Sequence, residues 1–219
     1  MDRSVSDPAA RIPPPAPRLV VATGNPDKLR EIRGILAGVR ADVVGLDAFP
    51  PVAEPVEHGA TFADNARAKA LYYAQAIGAL VVAEDSGLEI DALDGAPGVY
   101  SARFGGEAAV AYDAKFALIY EALAARGVAT SPARFVAAIA LATPGRVHFE
   151  ARGAVEGAIA PRPRGTGGFG YDPIFYYPPF GCTLAEVPAG RKAEVSHRGS
   201  AFRALRRFID DHGLPASGE

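Results

Sequence analysis

The sequence has few features that would cross-link the chain or anchor it to a membrane or to nucleic acid. Cys182 is the only cysteine among 219 residues, which excludes an intrachain disulfide and a cysteine metal cluster and fits a reducing compartment. The longest uninterrupted apolar run covers residues 135–142, far short of the about 18 residues that a membrane-spanning helix needs. Because 23 basic and 25 acidic side chains leave a net charge of −2, no global basic field draws the protein to nucleic acid. We therefore expect neither a membrane nor a nucleic-acid partner.

The composition is that of a globular protein with one core. Hydrophobic residues make up 49% of the chain and charged residues 22%, which excludes disorder of the whole chain. Residues 1–17 contain five prolines and no apolar signal-peptide segment, so we predict a disordered or polyproline-like tail there. One domain is predicted over residues 18–213, followed by a loose C-terminus at 214–219. Because no targeting signal is found, we expect a cytoplasmic protein.

Hydrophobic periodicity predicts an α/β protein with at least one antiparallel strand pair. Helices are predicted to start near residues 26, 61 and 196, with another over 107–125. At the second of these starts, Thr61 and Asp64 form a capping-box pattern. Strands are predicted over residues 19–22, 41–45, 79–83, 88–92, 134–142 and 147–152. The last two of these flank a Pro-Gly pair and predict a hairpin.

The turn after the first predicted strand has the composition of an anion-binding site. Thr23 and Gly24 lead into Asn25, which is a good helix N-cap. Pro26 then suits the first helical position. Because a helix start exposes N–H groups and its dipole favours anions, a phosphate would fit there within reach of Lys28. The spacing is not that of a P-loop, and an ordinary capped helix with a solvent-facing lysine is the alternative.

Acidic residues cluster around a second predicted turn. Glu84 and Asp85 follow a buried strand, and Gly87 after them predicts that the chain turns. Ligands of α/β sheets usually bind at strand ends, and adjacent acids repel one another unless a cation relieves them. The pattern fits Mg²⁺ with a phosphate partner, and Glu57 and Asp64 are further candidate ligands. A turn rich in solvated acids is the alternative.

A glycine-rich loop precedes a group of aromatic residues. Residues 165–170 match G-x-G-x-x-G, but prolines on both sides exclude a dinucleotide-binding turn. A sharply turned loop that presents Phe169, Tyr171 and Asp172 would place an aromatic face beside a carboxylate, which suits a planar heterocycle. A structural glycine loop with core aromatics is the alternative.

Cations cluster near the last predicted helix. If Ser196 caps that helix, His197 and Arg198 fall in its first turn, where positive charge opposes the helix dipole. They are then either surface residues or, together with Lys192, held for an anionic or carbonyl-bearing ligand. Lys69 is a further candidate phosphate contact or a solvated lysine.

Taken together, these segments resemble the inosine triphosphate pyrophosphatase family. Five motifs carry the resemblance, occur in the family's order and cover nearly all of the chain after the Pro-rich tail. They are residues 23–28 (TGNPDK), 84–88 (EDSGL), 95–103 (GAPGVYSAR), 165–173 (GTGGFGYDP) and 196–199 (SHRG). Each motif alone is weak, but five in order are specific. Glu84 stands where many members have Asp, and Asp64 where many have Glu, so both keep the charge and change its reach by one methylene.

The resemblance implies an elongated, two-lobed α/β fold with a central mixed β-sheet flanked by helices and a nucleotide cleft between the lobes. It implies a homodimer that depends on Mg²⁺ and hydrolyses ITP, dITP and XTP to the monophosphate and pyrophosphate. Asp85 is the implied general base and a metal ligand, and Glu57 is the second metal-linked acid. The implied substrate contacts are Thr23, Gly24, Asn25, Pro26, Asp27, Lys28 and Ser86 for the sugar and phosphates, and Phe169, Gly170, Tyr171, Asp172, Lys192, His197 and Arg198 for the base.

Three other classes of protein stay open on the sequence alone. A Maf-like nucleotide pyrophosphatase would prefer pyrimidine or modified nucleotides, and the motifs at 169–172 and 196–198 argue against it. A non-enzymatic nucleotide-binding module would bind ITP and release no pyrophosphate. A purely structural protein fits poorly with so many acids, glycines and cations at predicted element ends.

Overall fold

The computed structural model describes residues 17–106 and 111–215. The strands in these ranges are β1 (Arg18–Ala22), β2 (Asp42–Gly45), β3 (Val81–Ile90), β4 (Pro132–Thr143), β5 (Arg146–Ile159), β6 (Phe175–Tyr177) and β7 (Cys182–Thr183). The helices are α1 (Pro26–Ile35), α2 (Phe62–Ile77), α3 (Tyr112–Ala125), α4 (Ala189–Val195) and α5 (His197–His212). Short 3₁₀ turns occupy several of the connections.

The strands of the described ranges form one mixed sheet in the order β2-β1-β3-β4-β5-β6-β7. The first three strands are parallel to one another and are connected through α1 and α2. Every other neighbouring pair is antiparallel. The α/β class and the antiparallel pair are therefore confirmed, whereas the two-lobed shape stays a prediction.

The two faces of the sheet bury different helices because successive side chains along a strand point to opposite faces. Val82 of β3 packs in one apolar cluster with Phe202 of α5, and α1 also contributes to this cluster. Ala83 packs in another cluster with Ala70 of α2. A third cluster gathers around Ile119 of α3. Fully burying a side chain such as Phe202 contributes about 1.5–3 kcal/mol to stability, so the helices are fixed on the sheet mainly by these contacts.

The predicted starts of α1, α2 and α5 are confirmed, and the side chains that cap them are those expected. Asn25, Thr61 and Ser196 are the N-caps of α1, α2 and α5, and each accepts hydrogen bonds from backbone N–H groups of the first turn. Gly78 ends α2 with a φ of 68°, a conformation that glycine adopts without strain. The entry into each of these helices is therefore specified locally.

Other predicted boundaries differ from the structure. Both hairpin strands are longer than predicted, since backbone pairing between β4 and β5 continues past the apolar pattern. The strands β6 and β7 and the helix α4 are too short for periodicity to predict. The first four residues of the helix predicted over 107–125 lie outside the described residues, as do residues 1–16 and 216–219 of the predicted tails.

No helix in the described part of the chain is both long and apolar enough to cross a membrane.

Candidate active site

The turn from β1 into α1 is held by its own polar side chains. Asn25 Oδ1 accepts hydrogen bonds from the N–H groups of Asp27 (2.9 Å) and Lys28 (3.2 Å). The Asn25 N–H donates to Thr23 Oγ1 (3.1 Å). The N–H groups of Asp27 and Lys28, which we expected to face an anion, therefore already donate to the Asn25 side chain. An anion would still meet the positive end of the helix dipole and the Lys28 ammonium, which donates to Ser86 Oγ (3.0 Å).

Residues 84–87 lie within β3, so the predicted turn at this position is wrong. Gly87 does not have a left-handed φ, and a Cβ there would lie 2.3 Å from Ser101 Oγ and 2.6 Å from the Gly98 carbonyl oxygen. The neighbouring Leu88 N–H donates to Ser101 Oγ (2.9 Å). Glycine is required here because a neighbouring loop packs against the strand, and not because the chain turns.

β3 places Glu84 and Asp85 on its two opposite faces, next to the point where β1 ends. Pairing between β1 and β3 extends only to Ala22 opposite Ala83, so β1 leaves this edge of β3 from Glu84 onward. Because side chains alternate along a strand, Glu84 contacts α5, whereas Asp85 contacts α2. Because β1 no longer covers this edge of β3, both carboxylates line the same cavity.

Asp85 is a buried carboxylate held by two hydrogen bonds. Its Oδ2 accepts from Asn65 Nδ2 (2.8 Å), and its Oδ1 accepts from the Ser86 N–H (3.0 Å). Burial raises the pKa of Asp85 above its ordinary value, the Asn65 hydrogen bond opposes this shift, and the nearby Glu57 carboxylate adds to it. The side chain therefore binds a proton more strongly than an exposed aspartate does.

Glu57 and Asp85 together present the oxygen ligands that Mg²⁺ prefers. Burial is the main cause of the raised pKa of Asp85, and the Glu57 charge that adds to it is a repulsion of the kind that a bound cation relieves. Glu57 also forms ion pairs with Lys69 and, at 3.7 Å, with Arg103. Across residues 17–106 and 111–215, no three His, Cys, Asp or Glu side chains are grouped closely enough to hold a metal ion by themselves. A cation held by these two acids would need further oxygens from a ligand or from water.

A network of side chains with alternating charge, called the charge network below, forms part of the cavity wall. Arg198, which is 1% exposed, donates two hydrogen bonds to Glu84 (2.7 and 2.8 Å) and one to Glu31 (2.6 Å). Glu31 also accepts from Lys192 (3.0 Å), which in turn donates to Asp172 (2.5 Å). Burial would raise the pKa of Glu84, but Arg198 and a neighbouring lysine outweigh it and hold that pKa far below its ordinary value. Each buried charge is therefore matched by a counter-ion.

The two cations of this charge network also face an aromatic ring. Lys192 Nζ lies 4.7 Å and Arg198 Cζ 5.3 Å from the centroid of Phe169. The Phe169 N–H donates to Asp172 Oδ2 (2.8 Å), which fixes the glycine-rich loop against the network. The loop thus presents an aromatic face next to hydrogen-bond donors, an arrangement that suits a planar ring with carbonyl groups.

His197 is an uncharged member of the cavity wall. Its ring stacks on Phe135 with 4.9 Å between the ring centroids. Burial, reinforced by the charge of Arg198, lowers the pKa of His197 well below its ordinary value. Its buried Nδ1 has no hydrogen-bond partner within the described part of the chain. A neutral imidazole has one donor and one acceptor nitrogen, which suits the edge of a nucleobase better than a phosphate.

One cavity of about 640 Å³ is lined by every residue that the family resemblance implies for the site. These are Thr23, Gly24, Asn25, Pro26, Asp27, Lys28, Glu57, Asp85, Ser86, Phe169, Gly170, Tyr171, Asp172, Lys192, His197 and Arg198. Glu84 and Lys69 line it as well. Asp64 does not, because it lies at the start of α2, where the Thr61 hydroxyl donates to it (2.7 Å).

Two supporting residues were missed by the sequence analysis. Glu31 joins Lys192 to Arg198, and Asn65 contacts Asp85. Asn65 had a detectable signal, because it is a polar residue on the otherwise apolar buried face of α2. The partners of Glu31 lie more than 160 positions away along the chain, so no local pattern could indicate them.

The fold and the cavity define a class of protein: an α/β protein that binds a small anionic molecule carrying a planar ring. The anion would lie at the start of α1 and the ring against Phe169. The chain belongs to the Ham1 family, whose sequence model matches residues 19–208. The family resemblance drawn from the five motifs is thereby confirmed.

Relatives and solved structures match nearly the whole chain. A Thermus thermophilus protein named dITP/XTP pyrophosphatase is 48% identical over 199 residues, covering 90% of this chain and 94% of that protein. A protein of the same name from Exiguobacterium sp. is 46% identical over 192 residues, covering 88% and 96%. The structure of a HAM1 protein from Coxiella burnetii matches with a TM-score of 0.82 at 36% identity and covers 89% of this chain and 99% of that one.

Proposed function

We propose that this chain is a pyrophosphohydrolase that converts ITP, dITP and XTP to the monophosphate and pyrophosphate, and so removes these non-standard purine nucleotides from the pool. Its Ham1 membership and its relatives named dITP/XTP pyrophosphatase support this function. The observation that carries the proposal is the composition of one cavity. It joins a helix start with a lysine, the acid pair Glu57 and Asp85, and an aromatic ring faced by cations.

The triphosphate is proposed to lie between the start of α1 and Lys69. Lys28 is positioned there by Ser86 and by an ion pair with Glu84 (3.3 Å). Burial lowers the pKa of Lys28, and the Glu84 charge opposes this shift. A phosphate group would add a second counter-charge and stabilise the ammonium form. Phosphoryl transfer depends mainly on positioning and charge stabilisation, so Thr23, Lys28 and Ser86 are assigned to the sugar and phosphates.

Glu57 and Asp85 are the residues proposed to hold Mg²⁺. The support is chemical: both are carboxylates, both line the cavity, and the Glu57 charge adds to the rise that burial imposes on the pKa of Asp85. When bound, Mg²⁺ supplies positive charge that neutralises the phosphate oxygens. Lys69 forms an ion pair with Glu57 and so holds that carboxylate at the cavity.

Asp85 is proposed to accept a proton from the water that attacks the α-phosphorus. The water oxygen joins the α-phosphorus, and the bridging oxygen leaves with the β-phosphate as pyrophosphate. A carboxylate whose pKa is raised by burial is a better base near neutral pH than an exposed one. The hydrogen bonds from Asn65 and Ser86 hold both carboxylate oxygens in a fixed orientation.

Purine selection is proposed to depend on the donors next to Phe169. Lys192 and Arg198 only donate hydrogen bonds, so they match the 6-oxo group of hypoxanthine and xanthine. The 6-amino group of adenine also donates and would leave buried donors unpaired. Sites built on hydrogen bonds reject such analogues strongly, so we expect ATP to be turned over at least about 100-fold more slowly than ITP or XTP.

Product analysis with ITP and Mg²⁺ tests the proposal, with a chelator-treated sample as the control. We expect IMP and pyrophosphate. The appearance of IDP and phosphate would place the attack at the γ-phosphorus and contradict the assignment. Binding of ITP without any product would favour a nucleotide-binding module, and a preference for pyrimidine triphosphates would favour the Maf-like alternative.

A homodimer is also part of the proposal and rests on the family resemblance. The proposed cytoplasmic location rests on the sequence expectation alone. Light scattering of the purified chain should give the mass of two subunits. The mass of a single chain would contradict this assembly.

A further inference from the structure

Asn65 connects the two acids of the proposed site without lining the cavity itself. It lies in the first turn of α2 and is 2% exposed. Its Nδ2 donates to Asp85 Oδ2 (2.8 Å), and its Oδ1 accepts from the Gly59 N–H (2.7 Å). Gly59 follows Glu57 by two positions. One amide side chain therefore links the Asp85 carboxylate to the segment that carries Glu57.

The chemistry of the two partners determines which way the amide points. A backbone N–H only donates and an ionised carboxylate only accepts, so the Asn65 oxygen must face Gly59 and its nitrogen must face Asp85. A carboxylate at position 65 would place an acceptor against Asp85. An apolar side chain would leave both partners unpaired, which is costly in a buried setting.

The contact between Gly59 and Asn65 is also sterically specific. A Cβ at Gly59 would lie 2.5 Å from Asn65 Oδ1 and 2.9 Å from the Asn65 backbone nitrogen. The second of these atoms belongs to the backbone of α2 and cannot rotate away. An alanine at position 59 would therefore disturb the link without touching Asp85 or Glu57.

We propose that Asn65 is a positioning residue, whose amide holds the Asp85 carboxylate and the segment carrying Glu57 in the one arrangement that the reaction uses. The inference rests on the proposed function. It assigns no substrate contact to Asn65, because the side chain reaches the reacting atoms only through Asp85. Loss of Asn65 should therefore lower kcat and leave nucleotide binding largely intact.

The test compares Asn65→Asp, which keeps the acceptor for Gly59 and loses the donor for Asp85, with Gly59→Ala, which disturbs the link from its other side. Removing a partner that orients a reactive carboxylate typically costs about 10–100-fold, so we expect kcat for ITP to fall by that factor in each variant. KM should stay within about threefold, because position 65 is outside the cavity. Since both changes break one link, the double variant should lose little more than the worse single variant.

Thr61→Ala is the matched control, because Thr61 caps the same helix through the Asp64 N–H (3.1 Å) and contacts neither acid. This variant should lower the melting temperature and leave kcat unchanged. A second readout is calorimetric binding of a non-hydrolysable inosine triphosphate analogue without divalent cation, which we expect to be unchanged in Asn65→Asp and Gly59→Ala.

Outcomes for the proposed function and for Asn65 are distinguishable. If the wild type hydrolyses ITP and both variants keep a kcat within twofold of it, the role of Asn65 is overturned and the proposed function stands. A loss of nucleotide binding equal to the loss of kcat would also overturn it, since that result indicates a merely structural role. If the wild type releases no pyrophosphate, the proposed function and this inference fall together. Should Asn65→Asp not fold, Gly59→Ala still decides the matter.

Discussion

Replacing Glu84 with glutamine would remove the anion that joins the buried Arg198 and the partly buried Lys28 in the wall of the cavity. Glu84 accepts two hydrogen bonds from Arg198 and lies 3.3 Å from Lys28. Its side chain and that of Arg198 are each 2% exposed. Glutamine preserves the shape of the side chain, so the change removes charge without creating a cavity.

The size of the effect follows from burial. Neutralising one partner of a buried ion pair typically costs about 3–5 kcal/mol, because the other charge stays buried without compensation. Glu31 still accepts a hydrogen bond from Arg198 (2.6 Å), so we expect the lower end of that range. For a domain of this size, each kcal/mol lowers the melting temperature by about 2–4 °C. The variant should therefore melt about 6–12 °C below the wild type.

Urea unfolding followed by circular dichroism measures this loss, with Glu150→Gln as the control. Glu150 pairs with Arg67 at 2.9 Å, but both side chains are 40% exposed or more, and exposed pairs contribute only about 0–1 kcal/mol. We expect Glu84→Gln to lose clearly more free energy of unfolding than Glu150→Gln. Equal losses would refute the idea that the buried charge network stabilises the cavity wall.

Three further predictions follow from single residues. Asp85→Asn removes the proposed base, so kcat for ITP should fall at least about 100-fold while the melting temperature changes little; near-normal turnover would refute the assignment. Gly87→Ala would force a Cβ to within 2.3 Å of Ser101 Oγ and should cost about 1–3 kcal/mol in urea unfolding, whereas Gly34→Ala, with nothing within 4 Å, should cost nothing. Because the folded-state pKa of Glu84 is depressed, its stabilisation is complete above the unfolded pKa near 4.5 and is lost as the pH falls through the depressed value. The stability of wild type should therefore fall more steeply below that pH than that of Glu84→Gln, and parallel curves would contradict the shift.

Local signals in the sequence were sufficient where one side chain sets one boundary. Asn25, Thr61 and Ser196 were predicted as helix caps because an N-cap needs only a short polar side chain at the right position. The structure confirms all three. The approximate position of the site followed from the same turns, since the caps place Lys28 and Arg198 at helix starts.

The glycine at position 87 shows why other predictions failed. Glycine after two acids is typical of a turn, yet here the backbone is extended and the missing Cβ admits Ser101. That requirement comes from the segment around Gly98 and Ser101, which follows the strand and folds back against it, and no local pattern contains it. The same limit applies to Glu31, whose contacts with Lys192 and Arg198 exist only after α1, α4 and α5 have packed together.

The chemistry of the cavity depends on the place where β1 ends. If pairing with β3 continued beyond Ala83, the acids at 84 and 85 would be separated by a strand and would face different surroundings. Because it stops there, Glu84 can anchor cations on one face while Asp85 remains available as a base on the other. This division explains how adjacent acids have opposite pKa shifts.

The most direct test of the central claim is hydrolysis of ITP in water labelled with ¹⁸O, followed by mass spectrometry of both products. We predict one labelled oxygen in IMP and none in pyrophosphate, because water activated by Asp85 attacks the α-phosphorus. Label in pyrophosphate would place the attack at the β-phosphorus and contradict the assigned geometry.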